Sequence, residues 1–165
     1  MRKIGLLSDT HACWDDRYEK YFQSCDEIWH TGDIGSTELL DKLESLKPVR
    51  AVYGNIDGQD LRIRVPKHQR FQIEEVDVWM THIGGYPGRY DRTVIPQIYL
   101  HPPRLFVCGH SHILRVLYDK TLKLLYINPG AAGKYGFHKK RTLVRFVIEG
   151  ADIKDLEVIE LGENG

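Results

Sequence analysis

Residues 105–112 read Leu-Phe-Val-Cys-Gly-His-Ser-His, an apolar run followed by a glycine and two histidines. The run from Leu105 to Cys108 is continuous, apolar and bounded by prolines and a glycine, which predicts a short buried strand. Gly109 then allows a sharp turn into His110 and His112. Side chains at i and i+2 diverge in an extended or turning segment, so these imidazoles suit two neighbouring metals better than one. Paired loop histidines are usually surface residues, so the interpretation depends on ligands elsewhere in the chain.

The composition bounds the class of protein. The chain has 165 residues, of which 42% are hydrophobic and 28% charged, and we expect a single domain over residues 1–165. Lys+Arg and Asp+Glu number 23 each, so no net field favours nucleic acid or an anionic membrane. No apolar run is long enough for a membrane span, and the first residues lead into a strand rather than a signal peptide. Three cysteines without paired spacing predict reduced thiols and a cytoplasmic protein.

The first three predicted strands each end in polar residues. They are Ile4–Leu7, Glu27–Thr31 and Val49–Tyr53, followed respectively by Asp9 and His11, by Asp33, and by Asn55 and Asp57. Helices are predicted between them, over about Asp15–Gln23 and Thr37–Leu46, which indicates a parallel sheet with helical crossovers. Ligands bind beyond the carboxyl ends of such strands. A helix N-cap at Asp9 and an ordinary turn at Gly32-Asp33 are the alternatives, but the first does not explain His11.

The second half of the chain predicts mostly antiparallel strands. Alternating residues predict a hairpin of Phe71–Ile73 and Val76–Met80, whose second arm leads to His82. A helix is expected over Thr93–His101. Two further hairpins are predicted, with the last strands completing a meander: Leu114–Tyr118 with Leu122–Ile127, and Leu143–Ile148 with Ile153–Leu161.

Seven side chains beyond these strands form a candidate ligand set: Asp9, His11, Asp33, Asn55, His82, His110 and His112. They include no thiolate and mix imidazoles with carboxylate and amide oxygens. Such a set suits divalent first-row ions such as Mn, Fe, Co, Ni or Zn rather than a structural zinc knot. Seven ligands are too many for one catalytic ion with open positions, so they divide between two ions if one carboxylate bridges.

In order and in strand-end context, these residues resemble the signature of the calcineurin-like metallophosphoesterases: Asp9-x-His11, Gly32-Asp33, Gly54-Asn55-x-Asp57, His82 and Gly109-His110-Ser111-His112. The resemblance spans residues 4 to about 132. The size resembles the small, single-domain phosphodiesterase branch, which also includes the retromer subunit of this fold. The resemblance implies an α/β fold, a four-layer α/β/β/α sandwich of two mixed sheets with a dimetal site at one end.

The same resemblance implies a role for each ligand. Asp9, His11 and His112 hold the first metal, Asn55, His82 and His110 hold the second, Asp33 bridges, and Asp57 supports the site from behind. The implied cofactors are two divalent ions, with manganese expected, and no organic cofactor. The implied reaction is hydrolysis of a small phosphate ester, most simply a phosphodiester, by a metal-bound hydroxide, with Asp33, Asn55, Asp57 and His82 as the catalytic residues. Homo-oligomer formation stays open.

Ile56 departs from the family pattern. Many catalytic members carry a histidine directly after the asparagine, proposed to protonate the leaving group, and isoleucine cannot transfer protons. Substrates with good leaving groups are therefore expected, unless His30, Tyr135 or His138 serves as the acid.

A binding scaffold of the same fold, with a vestigial metal site, is the alternative function. The complete ligand set argues against a pure scaffold, since seven converging polar groups without metal are unfavourable. A nuclease gains little support from a net charge of zero.

Overall fold

Two five-stranded sheets face one another across a shared apolar layer. The computed structural model describes residues 1–164. In chain order the elements are β1 (Arg2–Leu7), α1 (Arg17–Phe22), β2 (Glu27–His30), α2 (Thr37–Leu46), β3 (Val49–Ala51), α3 (Gln59–Arg62), β4 (His68–Ile73), β5 (Val76–Thr81), β6 (Gly85–Tyr86), β7 (Arg89–Tyr90), α4 (Gln97–Leu100), β8 (Leu105–Val107), β9 (Leu114–Asp119), β10 (Leu124–Pro129), β11 (Lys140–Glu149) and β12 (Asp152–Glu163). Within residues 1–164, no helix is both long and apolar enough to span a bilayer.

The first sheet has the order β12-β11-β1-β2-β3. Strands β1, β2 and β3 are parallel, as the alternation of strand, loop and helix predicts, while β11 and β12 add antiparallel neighbours. The predicted meander is wrong, because β10 and β11 belong to different sheets. The chain crosses between the sheets after β10, so that β11 pairs with β1 from the opposite end of the sequence.

The second sheet has the order β4-β5-β8-β10-β9. The predicted hairpin of β4 and β5 forms, and β5, β8 and β10 run parallel in the centre. Strand β9 closes the sheet as an antiparallel edge strand. Because β5 and β8 are parallel neighbours, the residues that follow them, including His82 and His110, reach the same edge of this sheet.

Alternate residues of the central strands enter different apolar layers. In β1, Leu6 enters the layer between the sheets, whereas Leu7 packs with Phe22 and Leu40 of the helices. In β8, Phe106 enters a third cluster with residues of the loop before α4 and of α4 itself. Helices therefore cover the outer face of each sheet. The predicted four-layer α/β/β/α sandwich is confirmed.

Two predicted helices are shorter in the structure. Helix α1 begins only at Arg17, because the Asp15 carboxylate accepts the Arg17 amide in a turn before it. Helix α4 occupies four residues of the predicted nine, because Thr93 is held in a turn by Asp91. The sequence does not predict the short helix α3, whose four residues follow the Asn55 loop along the chain.

Candidate metal centre

The seven predicted ligands gather where the carboxyl ends of the two sheets meet. Six of them form two groups, in each of which the potential ligand atoms lie within 4.8 Å of one another: Asp9, His11 and His112, and Asp33, His82 and His110. The Asp33 Oδ2 atom lies 3.5 Å from His11 Nε2 and 3.2 Å from His82 Nε2. Asp33 therefore faces a histidine of each group. The seventh residue, Asn55, lies beside the second group, with Oδ1 3.1 Å from His110 Nδ1.

Three buried atoms at the site have no hydrogen-bond partner among the described residues: Asp9 Oδ1, His11 Nε2 and His82 Nε2. Each of the three lies at ion-pair distance from a neighbour. His82 Nε2 and His11 Nε2 are 3.2 and 3.5 Å from Asp33 Oδ2, and Asp9 Oδ1 is 3.2 Å from His112 Nε2. Leaving a buried polar atom unpaired costs about 1–3 kcal/mol. Carboxylate oxygens and imidazole nitrogens aimed at common points fit divalent ions, which would satisfy all three atoms.

A hydrogen bond from the His82 ring to a backbone carbonyl determines which ring nitrogen faces the site. Its Nδ1 atom lies 2.8 Å from the Thr31 carbonyl oxygen, which can only accept a hydrogen bond. The proton therefore belongs on Nδ1, and Nε2 presents its lone pair to the site.

A second histidine orients His112 in the same way. His138 donates from Nε2 to the Gly133 carbonyl at 2.8 Å, so its Nδ1 is an acceptor, and that atom lies 3.2 Å from His112 Nδ1. His112 must then donate from Nδ1 and keep its Nε2 lone pair for the site. The sequence suggests His138 only as an alternative acid. No motif or spacing links it to His112, so the sequence does not indicate its orienting contact.

Each carboxylate at the site uses one oxygen for the protein and leaves the other for a ligand. Asp9 Oδ2 accepts from the Ser8 hydroxyl at 2.6 Å and from the His110 amide at 3.1 Å. Asp33 Oδ1 accepts from the Ile56 amide at 3.1 Å. These contacts fix Asp9 Oδ1 and Asp33 Oδ2 in orientations toward the histidines.

Asp57 lies behind the site rather than in it. Its buried carboxylate accepts the backbone amides of Ile34, Gly35 and Gly54 at 2.9–3.1 Å. Asp57 therefore ties the loop that carries Asp33 to the loop that carries Asn55. Of the four residues predicted to be catalytic, it is the one with a supporting position.

Two glycines permit the close approach of these loops. A Cβ atom at Gly54 would lie 2.0 Å from Asp33 Oδ1, and one at Gly109 would lie 2.1 Å from Ser8 Oγ. Five of the candidate ligands also have left-handed backbones, with positive φ values: 53° at Asp9, 46° at His11, 55° at Asp33, 70° at His110 and 62° at His112. Such conformations in non-glycine residues concentrate at functional sites.

The protonation equilibria reflect a buried cluster of opposite charges. Burial lowers the pKa of His82, but the Asp33 and Asp9 carboxylates outweigh it and leave that pKa raised. Burial would raise the pKa of Asp9, but contacts with His112 and His82 leave it lowered. Burial lowers the pKa of both His11 and His110. Without a metal, the Asp33 and Asp9 carboxylates thus favour the protonated form of His82.

The three residues named as alternative proton donors differ in their exposure and in their distance from the site. His30 is fully buried, contacts Thr10 and Gly32 through its two ring nitrogens, and has a pKa lowered by burial to about 4. It therefore serves the structure of the loop rather than proton transfer. Tyr135 is exposed and packs its ring 4.8 Å from that of His11, at the rim of the site. Both ring nitrogens of His138 are used in hydrogen bonds, one with His112 and one with the Gly133 carbonyl.

Comparisons with known proteins identify the family of this chain. Residues 2–151 match the model of the calcineurin-like phosphoesterase superfamily domain. The chain is 33% identical over 138 residues to a probable metallophosphoesterase of Methanothermobacter thermautotrophicus. The aligned region covers 78% of this chain and 76% of the relative.

Two solved structures share the fold. An archaeal phosphodiesterase superposes with a TM-score of 0.75 and 22% identity, over 96% of this chain and 99% of the other. Vps29 of Entamoeba histolytica in complex with zinc has a TM-score of 0.76 and 14% identity, over 99% of each chain. The family predicted from the motifs is confirmed. The chain belongs to the calcineurin-like phosphoesterase superfamily.

Proposed function

We propose that the protein is a phosphodiesterase that hydrolyses small phosphodiesters at a pair of divalent ions, and that the chain acts as one domain. The observation that carries the proposal is Asp33, whose free oxygen faces one histidine of each ligand group. Asp9, His11 and His112 would hold the first ion, and Asn55, His82 and His110 the second. The mixed nitrogen and oxygen donors suit manganese, and also Fe, Co, Ni or Zn.

Such a pair of ions, when bound, supplies an activated water and neutralises charge on the phosphoryl oxygens. The chain's own residues fix the geometry in which this occurs. Thr31 and His138 hold His82 and His112 with their Nε2 atoms toward the site. Ile56 is 47% exposed beside Asp33 and offers no proton to a leaving group. Diesters with stable leaving groups are therefore the substrates that this site favours.

The first prediction tests the bridging position of Asp33. The protein is loaded with each metal separately and assayed with bis(p-nitrophenyl) phosphate and p-nitrophenyl phosphate. Asp33→Asn should lower metal content at both groups and reduce the rate by about two orders of magnitude or more, because a neutral amide loses the charge shared by both ions. Asp152→Asn, an exposed carboxylate on β12, is the matched control and should behave as native. An Asp33→Asn protein with two metals per chain and the native rate would contradict the proposal.

The second candidate function is a protein-binding scaffold. It is favoured by exposed apolar side chains on and beside edge strand β9: Ile113, Leu114, Val116, Leu117 and Tyr118. A protein that binds two metals but hydrolyses neither phosphodiesters nor phosphomonoesters with any of them would favour this alternative.

A further inference from the structure

A pocket lined by two basic side chains adjoins the candidate metal centre. It has a volume of about 220 Å³ and shares Asn55 and His82 with the site. Arg62, Lys67 and Tyr53 also line it. We call this cavity the cationic pocket. Because Asn55 and His82 line both spaces, a substrate held at the candidate metal centre can extend into the pocket.

Arg62 is held in place without neutralisation of its charge. Its Nε donates to the Asp57 carbonyl at 2.7 Å, a terminal nitrogen lies 3.4 Å from the Asn55 carbonyl, and its guanidinium lies 4.6 Å from the centre of the Tyr53 ring. These contacts attach Arg62 to the loop that carries Asn55. They leave donors of the guanidinium fork free for a further acceptor.

Neither cation of the pocket has an acidic partner. Among residues 1–164, no carboxylate lies within salt-bridge distance of Arg62 or Lys67. Arg64, two positions after Arg62, instead pairs with Asp41 and Glu44 at 2.8 Å each. A guanidinium and an ammonium facing one cavity, with no acid between them, favour an anionic ligand.

We propose that the cationic pocket binds a second phosphate of the substrate, so that the preferred substrate is a phosphodiester bearing an additional phosphate group. This inference rests on the proposed phosphodiesterase function and narrows its substrate class. A phosphate suits the pocket because Arg offers a planar fork and Lys a compact charge, the two forms in which proteins bind phosphate. Ligand charge, rather than leaving-group protonation, then supplies selectivity at a site where Ile56 provides no acid.

The test uses two substrates with the same leaving group, the p-nitrophenyl ester of thymidine 5′-phosphate with and without a 3′-phosphate. The native protein should hydrolyse the 3′-phosphorylated ester with a kcat/KM about tenfold higher or more, since charge-assisted contacts of this kind are strong. Lys67→Gln and Arg62→Gln should each reduce this ratio several-fold. Arg64→Gln is the matched control outside the pocket and should keep the native ratio. Lys67→Arg should retain most of the preference.

A binding measurement separates the inference from the proposed function. In calorimetry without metal, the native protein should bind thymidine 3′,5′-bisphosphate more tightly than thymidine 5′-monophosphate, and Lys67→Gln should remove the difference. Equal kcat/KM values for the two esters in the native protein, with ratios unchanged in both pocket variants, would overturn the inference while leaving the phosphodiesterase intact. Failure to hydrolyse either ester with any metal would overturn the proposed function. If the protein is inactive and calorimetry also shows no tighter binding of the bisphosphate than of the monophosphate, the proposal that the pocket binds a phosphate fails as well.

Discussion

His138 contributes to the site through a single contact with His112. Its Nδ1 accepts from His112, so the His112 tautomer that can bind a metal depends on it. His138→Ala should weaken metal binding at the first group by about 10–100-fold, the usual effect of losing such a partner, and leave the second group unaffected. Metal titration of the apoprotein, resolved into two sites, measures this. His101→Ala, an exposed histidine after α4, is the control. Equal loss from both groups would show that His138 acts by a general loss of structure.

Ile56 determines how the rate should depend on the leaving group. With no acid at this position, rates should fall steeply as the pKa of the leaving group rises. Ile56→His should flatten that dependence, because general acid catalysis contributes about 10²–10⁴-fold and helps poor leaving groups most. The measurement is rate against leaving-group pKa for both proteins with the same metal. Efficient cleavage of alkyl monoesters by the native protein would mean that another residue donates the proton.

At the scale of residues, the sequence indicates candidate ligands but not the groups that orient them. The seven candidates can be named from the sequence because each closely follows a predicted strand. The contact of Thr31 with His82 uses a backbone carbonyl, which every residue type possesses. The contact of His138 with His112 depends on the path of the loop between β10 and β11. Neither relation leaves a pattern in the sequence.

The start of helix α1 is joined to β11 and β12 by an ionic cluster around Asp15. Asp15 accepts two hydrogen bonds from the Arg17 side chain, at 2.6 and 2.9 Å, and lies 3.2 Å from a terminal nitrogen of Arg141 on β11. Arg17 also donates to the Leu161 carbonyl on β12. The hydrogen bond from Arg17 is the main cause that lowers the pKa of Asp15 to about 2.

This pKa predicts a pH-dependent stability. A carboxyl group whose pKa is lower when folded stabilises the protein above its unfolded pKa, near 3.8, and loses that contribution as the pH falls toward 2. Asp15→Asn should therefore lower the free energy of unfolding by about 1 kcal/mol at pH 7, allowing for screening of the partly exposed Arg17, and by less at each step below pH 4. Urea denaturation across pH 2.5–7 would measure the difference. A difference that stays constant over this range would exclude the ionic cause.

At the scale of elements, local pairings were predictable and the assignment of strands to sheets was not. Hairpins such as β4 with β5 are visible in the alternation of nearby residues. The neighbour of β11 is β1, however, from the other end of the chain. Strands β1 and β11 are apolar on both faces. The residue pattern of β11 therefore does not show whether it extends the second sheet or pairs in the first.

At the scale of the molecule, each ligand group joins the two sheets. Asp9 and His11 follow β1 in the first sheet, whereas His112 follows β8 in the second. In the other group, Asp33 comes from the first sheet and its two histidines from the second. An ion in either group therefore connects both halves of the sandwich.

Removal of the metals should accordingly destabilise the whole fold. An ion present at 100 times its dissociation constant adds about 2.7 kcal/mol, which corresponds to a melting temperature about 5–10 °C higher for a chain of this length. Thermal unfolding before and after chelation, with metal content verified, measures the shift, and added metal should restore it. The Asp33→Asn protein should respond far less. An unchanged melting curve after complete metal loss would mean that the cluster is held together without ions.

The left-handed backbones of the five ligands make the centre easy to lose in evolution. Glycine adopts those φ angles with the least strain, so replacing His110 or His112 by glycine would remove a ligand and relax the backbone together. As long as turnover is under selection, such changes are eliminated. In a lineage released from that selection such changes would accumulate, because glycine adopts these backbone angles without strain. A descendant retained only for its surface should therefore show glycine or asparagine at these positions, while Gly54 and Gly109 persist as a record of the former site.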